Sequence, residues 1–183
     1  MKVIDASDTS TIIRLIKKGV VVIIPTETVY GLVGIPSIKN RNHILQLKQR
    51  STGRPLGLIV DSMATFRKII YYNDQIGQAL QSRRPRSVTV VGYGRCDWPF
   101  FNVVQHNGLV GVRVTNSKWL QNIIRHTGPI LATSVNISGQ PPLKELHHLL
   151  KFGAQYVVTG HQQVMTQHPS AVYHAIKDAW MRI

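Results

Sequence analysis

Acidic residues are scarce in this chain: 8 Asp and Glu stand against 22 Lys and Arg in 183 residues, a formal net charge of +14. The positive balance comes from missing acids rather than added bases. It favours polyanions such as RNA, or small anionic substrates, as partners; a compositional bias that serves solubility would leave the same balance. Cysteine is almost absent, and Cys96 alone excludes an intrachain disulfide and any multi-cysteine zinc site. No apolar run approaches the roughly 20 residues of a membrane span, and Asp5 and Asp8 stand where a signal peptide would be apolar. These absences predict a soluble, cytoplasmic protein. The 8 histidines show no His-Glu-x-x-His or comparable ligand spacing, so no dedicated protein metal site is expected. The usual nucleotide signatures are missing too: Gly92-Tyr93-Gly94 lacks a third glycine, and no phosphate-loop pattern occurs. The absence of Gly-x-Ser-x-Gly argues against a nucleophile-elbow hydrolase.

What is present is organised around Val20 to Ile24, five β-branched residues in a row. A half-exposed strand would alternate, so this one reads as buried on both faces. Pro25 lacks the donor that a central ladder needs and ends it. Thr26, Glu27, Thr28 and Tyr30 then crowd the loop that leaves the strand, where open α/β sheets bind ligands; the same residues would suit a polar turn. Downstream, helical patterns at 8–19, 39–47, 62–68, 73–81 and 119–127 alternate with strand patterns at 56–60, 87–92, 109–114 and 130–133. Leu143, Leu146, Leu149 and Leu150 predict one more helix, and short strands at 156–158, 171–173 and 180–182 close the chain. Gly31 to Pro36 reads as too glycine-rich for regular structure, and 94–107 as an irregular excursion. The pattern predicts a single α/β domain, 1–183, built on one twisted sheet.

Two further loops carry chemistry. Lys48, Arg50 and Arg54, in a stretch free of acids, resemble an anion cradle, although a solvated helix end would also hold a cation. In Ser134-Val135-Asn136-Ile137-Ser138-Gly139, alternate hydroxyl and amide side chains point to one side of an extended segment. A Ser/Asn-rich turn would account for the same residues. Arg83, Arg84 and Arg86, with Trp98, Phe100 and Phe101, suit RNA contact and stacking, or equally a solvated arginine face over core aromatics.

Taken together, Pro25-Thr26-Glu27-Thr28-Val29-Tyr30-Gly31, the Lys-x-Arg of Lys48 and Arg50, Arg54-Pro55-Leu56, Val112-Arg113-Val114, the Ser-x-Asn of Ser134 and Asn136, and Pro169-Ser170-Ala171-Val172 resemble the YrdC/TsaC family, the threonylcarbamoyl-AMP synthases, in its short single-domain form. The resemblance implies an α/β fold with a twisted open mixed sheet, flanking helices and a concave basic cavity. It implies that L-threonine, bicarbonate and ATP, the last with magnesium, give threonylcarbamoyl-AMP and pyrophosphate. A downstream threonylcarbamoyl transferase machinery would pass the product to adenosine 37 of tRNA, and weak tRNA binding is implied as well. By the same resemblance Lys48, Arg50, Ser134 and Asn136 are the catalytic residues, and Lys48, Arg50, Arg54, Thr133, Ser134 and Asn136 hold ATP. Thr26, Thr28, Tyr30 and Arg113 line the threonine pocket, with Glu27 orienting a cation or the threonine amine, or else serving structure. The chain departs from the family pattern at Val33, Ile35, Ser51, Arg86 and His174. An RNA-binding or ribosome-associated module and another carbamoyl-adenylate enzyme are the alternatives.

A +14 surface should bind tRNA nonspecifically, with a Kd of about 10⁻⁴–10⁻⁶ M at physiological salt. Replacing Arg83, Arg84 and Arg86 together by neutral residues should weaken that binding and flatten its salt slope while leaving ATP affinity in place. Titrations of tRNA and of ATP across a salt series check both halves.

Overall fold

The computed structural model describes residues 1–51, 56–82, 87–160 and 165–182. Arg54 and the 83–86 arginine run, both singled out from the sequence, lie outside the described residues.

The strands are β1 (Lys2–Asp5), β2 (Val22–Ile24), β3 (Gly31–Gly34), β4 (Gly57–Val60), β5 (Val88–Tyr93), β6 (Leu109–Val114), β7 (Ile130–Ser134), β8 (Tyr156–Thr159), β9 (Ala171–His174) and β10 (Ala179–Arg182). The helices are α1 (Thr9–Lys17), α2 (Ile38–Leu47), α3 (Met63–Ile69), α4 (Asp74–Ser82), α5 (Phe101–Val104), α6 (Lys118–Thr127) and α7 (Leu146–Leu150). All ten strands form one mixed sheet in the order β1-β8-β2-β3-β7-β4-β6-β5-β9-β10. No described helix is long and apolar enough to cross a membrane.

Alternation along the central strands divides the core into two layers. Ile23, Leu32, Leu58, Val90, Val112, Leu131 and Tyr173 join Ile44 and Leu45 of α2, Phe66 and Ile69 of α3 and Ile76 of α4 on one face. Val22, Ile24, Val33, Ile59, Ile130 and Val158 meet Ile12 and Ile16 of α1 and Leu120, Ile123 and Ile124 of α6 on the other. Asp8 starts α1 by accepting from the Thr11 amide at 3.1 Å. Full burial of Ile12 and Ile16 then holds that helix down, each side chain contributing about 1.5–3 kcal/mol. Among the described helices, α1 and α6 cover this second face, and they sit over the β8–β2–β3–β7–β4 half. The cavity forms beyond them, over parts of β7 and β4 and over β6, β5, β9 and β10.

Two expectations needed correction. Gly31 to Gly34 is not irregular but a central strand, paired with β2 on one side and β7 on the other. Glycine is used there for close approach: a Cβ on Gly34 would lie 2.7 Å from Asn40 Nδ2 and 3.2 Å from its Cγ. Residues 2–5 had not been read as a strand, because alone they show little pattern; β1 is an edge strand that exists through parallel pairing with β8. Two smaller shifts follow from proline and local hydrogen bonding. The 94–107 excursion contains the short α5, and Leu143 lies ahead of α7, its amide bonded to Val135 O at 2.8 Å.

Gly34→Ala should destabilise the protein by about 1–3 kcal/mol, the usual range for overpacking a closed site. The buried Asn40 side chain cannot yield without losing its 3.1 Å bond to Ile35 O. Urea unfolding should show a lower midpoint with an unchanged slope; an unshifted midpoint would contradict the close approach.

Candidate functional site

Sheet register assembles the site. Ile59 of β4 pairs with Arg113 of β6, Arg113 with Thr89 of β5, Thr89 with Val172 of β9, and Val172 with Arg182 of β10. A second row, one pleat along, runs Ala132, Gly57, Gly111, Val91, His174. Small residues in that row leave room above the sheet, and a cavity of about 490 Å³ opens over both rows. That volume lies in the range of small-molecule sites. Arg50, Arg113, Arg182, His106 and His174 line it, and no carboxylate does among the described residues.

The loop after β2 supplies the wall. Thr26, Glu27 and Thr28 are buried despite their polarity, which requires internal partners. Glu27 turns away from the cavity: its carboxylate accepts from Thr115 Oγ1 at 3.0 Å and Ser87 Oγ at 3.1 Å and lies 3.5 Å from Arg113 Nη1. Arg113 Nη1 also donates to Thr28 Oγ1 at 2.8 Å. Burial depresses the Arg113 guanidinium and Glu27 partly restores it; it remains a cation throughout the working range. Tyr30, half-buried on the cavity wall, has its phenol pushed up by burial.

Of the residues expected from the sequence, Thr26, Thr28, Tyr30, Arg50, Arg113, Thr133 and Ser134 meet at the cavity. Lys48 and Asn136 do not line it. Lys48 ends α2 and Gln49 follows with a φ of 50°, so the chain reverses between the two cations of Lys-x-Arg and sends them different ways. Arg50 goes into the cavity. Lys48 goes beneath the 134–136 turn, where Nζ donates to Ser134 O at 2.6 Å, Asn136 Oδ1 at 2.8 Å and Asn136 O at 2.9 Å. All three ammonium protons thus have acceptors inside the protein, so in this structure Lys48 braces the 134–136 turn rather than lining the cavity. Glu27 likewise holds Arg113 rather than a substrate amine.

Arg182 and Ser170 had not been assigned to the site. Arg182 Nε donates to Ser170 O at 2.8 Å, and the register of β9 with β10 shifts between Trp180 and Arg182, which aims the arginine inward. Three strand spacings, about 14 Å, separate the Arg113 and Arg182 backbones, yet burial and the charge of Arg113 together depress the Arg182 guanidinium. Both arginines line the one cavity, which with Arg50 gives it a positive lining suited to anions. Nothing local to Trp180-Met181-Arg182 carries that signal, because the neighbourhood is made by register alone.

Among the described residues, no group of three or more His, Cys, Asp or Glu is placed to hold a metal ion. With no carboxylate in the described lining and Glu27 committed to Arg113, Thr115 and Ser87, these residues do not suit a magnesium ion held by the protein.

Burial, reinforced by the charge of Arg50, lowers the Lys48 ammonium from 10.5 to about 8. Between these values the unfolded chain binds the proton that the folded chain releases, so this group's contribution to stability rises with pH. From pH 8 to pH 10 the protein should gain about 2 kcal/mol relative to its Lys48→Met variant. Urea midpoints of the two proteins at each pH measure the difference, and parallel curves would dispose of the account.

Comparison with known proteins agrees with this fold. The Sua5/YciO/YrdC family, described as "Telomere recombination", matches residues 14–183. The chain is 27% identical over 167 residues to a threonylcarbamoyl-AMP synthase of Haemophilus influenzae, covering 88% of this chain and 91% of the relative. A threonylcarbamoyl-AMP synthase of Histophilus somni is 31% identical over 153 residues, covering 80% and 83%. P. abyssi Sua5, solved in complex with L-threonine, superposes with a TM-score of 0.81 at 22% identity. That match covers 95% of this chain but 54% of Sua5, so the chain spans about half the length of that protein. With the family's pattern running from α1 to the last strand, this chain belongs to the Sua5/YciO/YrdC family.

Proposed function

We propose that the chain is an L-threonylcarbamoyladenylate synthase, a nucleotidyltransferase that makes threonylcarbamoyl-AMP and pyrophosphate from L-threonine, bicarbonate and ATP for tRNA threonylcarbamoyladenosine synthesis. The observation that carries the reading is a cavity with three arginines and no described carboxylate, in a chain whose relatives bear that name. Threonine carboxylate, carbamate and triphosphate are all anions, and each needs a cation in a place shielded from water.

Arg113, held by Glu27, pairs the threonine carboxylate, with Thr28 and Tyr30 beside it. The amine adds to carbon dioxide released from bicarbonate and loses a proton, giving a carbamate. A carbamate oxygen then attacks the α-phosphorus of ATP, and pyrophosphate leaves as the P–O bond breaks. Arg50 and Arg182 neutralise charge on the phosphates, so catalysis is alignment and electrostatic stabilisation. Magnesium enters as part of the ATP substrate. Thr133 and Ser134 lie at the adenylate end, and Lys48 and Asn136 hold the turn that carries Ser134. Arg54 adds charge at the triphosphate. The product passes to a downstream threonylcarbamoyl transferase machinery in the cytoplasm, and tRNA is needed only after the adenylate is made.

Pyrophosphate release measured with and without threonine and bicarbonate tests the reading, and dependence on both is the expected result. Dependence on carbamoyl phosphate instead would point to a transferase, and inactivity with tight RNA binding to an RNA-binding module. Arg50→Ala should lower turnover by about 10²–10³-fold, the cost of deleting one donor aimed at developing charge. An undiminished rate would remove Arg50 from the chemistry.

A further inference from the structure

The proton of the Ser134 hydroxyl has a single assignment. Asn136 Nδ2 donates to Gln140 O at 2.6 Å and Ile137 O at 3.0 Å, while Asn136 Oδ1 faces the Lys48 ammonium at 2.8 Å. Turning that amide over would set donor against donor at Lys48 and acceptor against acceptor at both carbonyls, so only one orientation survives. In its protonated form, held below pH about 8, Lys48 only donates, and its three acceptors are already named; the two carbonyls fix the Asn136 amide in any case. Ser134 Oγ lies 2.6 Å from Asn136 Oδ1, an oxygen that can only accept. The one Ser134 proton therefore goes to Asn136, and what Ser134 offers the cavity it lines is lone pairs.

Thr28 reaches the same state by a separate route. Thr26 Oγ1 gives its proton to Val29 O at 2.7 Å, so the 3.0 Å contact between the two threonine hydroxyls is filled by the proton of Thr28. Thr28 also accepts from Arg113. Neither Ser134 nor Thr28 has a proton left for a substrate.

We infer that Ser134 is a hydrogen-bond acceptor in this site, receiving an N–H of the amino-acid substrate or an O–H of the ribose rather than binding a phosphate. Lys48 is then a positioning residue that sets this polarity through Asn136. An ionised phosphate oxygen also presents lone pairs, and would meet Ser134 at a repulsive contact. An amine N–H on Ser134, by contrast, would be fixed in place with the nitrogen lone pair free to add to carbon. This assignment rests on reading the cavity as a threonine and ATP site.

Calorimetric titration of the full chain and of Ser134→Ala with inorganic pyrophosphate, adenosine and L-threonine separates the possibilities. Pyrophosphate affinity should stay within about twofold, while either threonine or adenosine weakens by about fivefold to tenfold, the scale of one neutral hydrogen bond. Weakening of threonine identifies the donor as the amine, and weakening of adenosine identifies it as a ribose hydroxyl. Loss of pyrophosphate affinity in Ser134→Ala, or no loss for the other two ligands, overturns the assignment. Lys48→Met, with folding checked by circular dichroism, should reproduce the same selective loss. A folded Lys48→Met protein that loses pyrophosphate instead would show Lys48 touching phosphate. Binding is read without turnover, so a wild-type chain that binds none of the three overturns the functional reading as well.

Discussion

The carboxylate of Glu27 is the charge on which the rest of the site depends. It is buried, and an unpaired buried carboxylate costs several kcal/mol, so it persists only because Arg113, Thr115 and Ser87 converge on it. These partners come from the start of β5 and the end of β6, so one side chain ties the loop after β2 to strands five and four places from β2 in the sheet. Removing one member of such a pair typically costs about 3–5 kcal/mol, because the other charge is stranded. The arrangement also delivers charge to function: Arg113 satisfies Glu27 with one end of the same row that opens onto the cavity.

The cavity exists because the sheet is wider than its cover. Ten strands present two faces, yet on one of them α1 and α6 span only half. Where the cavity opens the chain places Gly57, Gly111 and Ala132, where larger residues would fill the space, and arginines where apolar residues would normally close a core. The cost of leaving this face open is met on the other one, where α2, α3 and α4 bury a continuous apolar layer. Beneath the rim, Lys48 is the counterpart of Glu27, a buried ammonium hydrogen-bonded by three uncharged carbonyl oxygens, which ties down the turn bearing Ser134.

Much of the framework was legible in local pattern. Five β-branched residues ending at Pro25 announced the central strand, and the Ile12–Ile16 and Leu120–Ile124 spacings announced the two helices that pack on it. Glycine misled between Gly31 and Gly34, where both lie inside a strand and Gly34 serves close packing against Asn40 rather than a turn. Residues 2–5 misled in the opposite way, since a four-residue edge strand has no periodicity to show until β8 pairs with it.

The sequence by itself determined which groups were available: a chain short of acids, with Lys48, Arg50 and Arg113 near hydroxyl-rich loops that follow buried strands. Those features are local, and propensity and alternation act over a few residues. Only the tertiary structure decided which groups face the cavity. Lys48 and Arg50 are two residues apart, yet a single positive φ between them sends one under the 134–136 turn and the other into the open. Arg113 and Arg182 are 69 positions apart, yet strand register puts them on one row along the same cavity. The direction of a side chain and the partner across a sheet are set by long-range pairing, whose energy is collected only when the whole sheet closes.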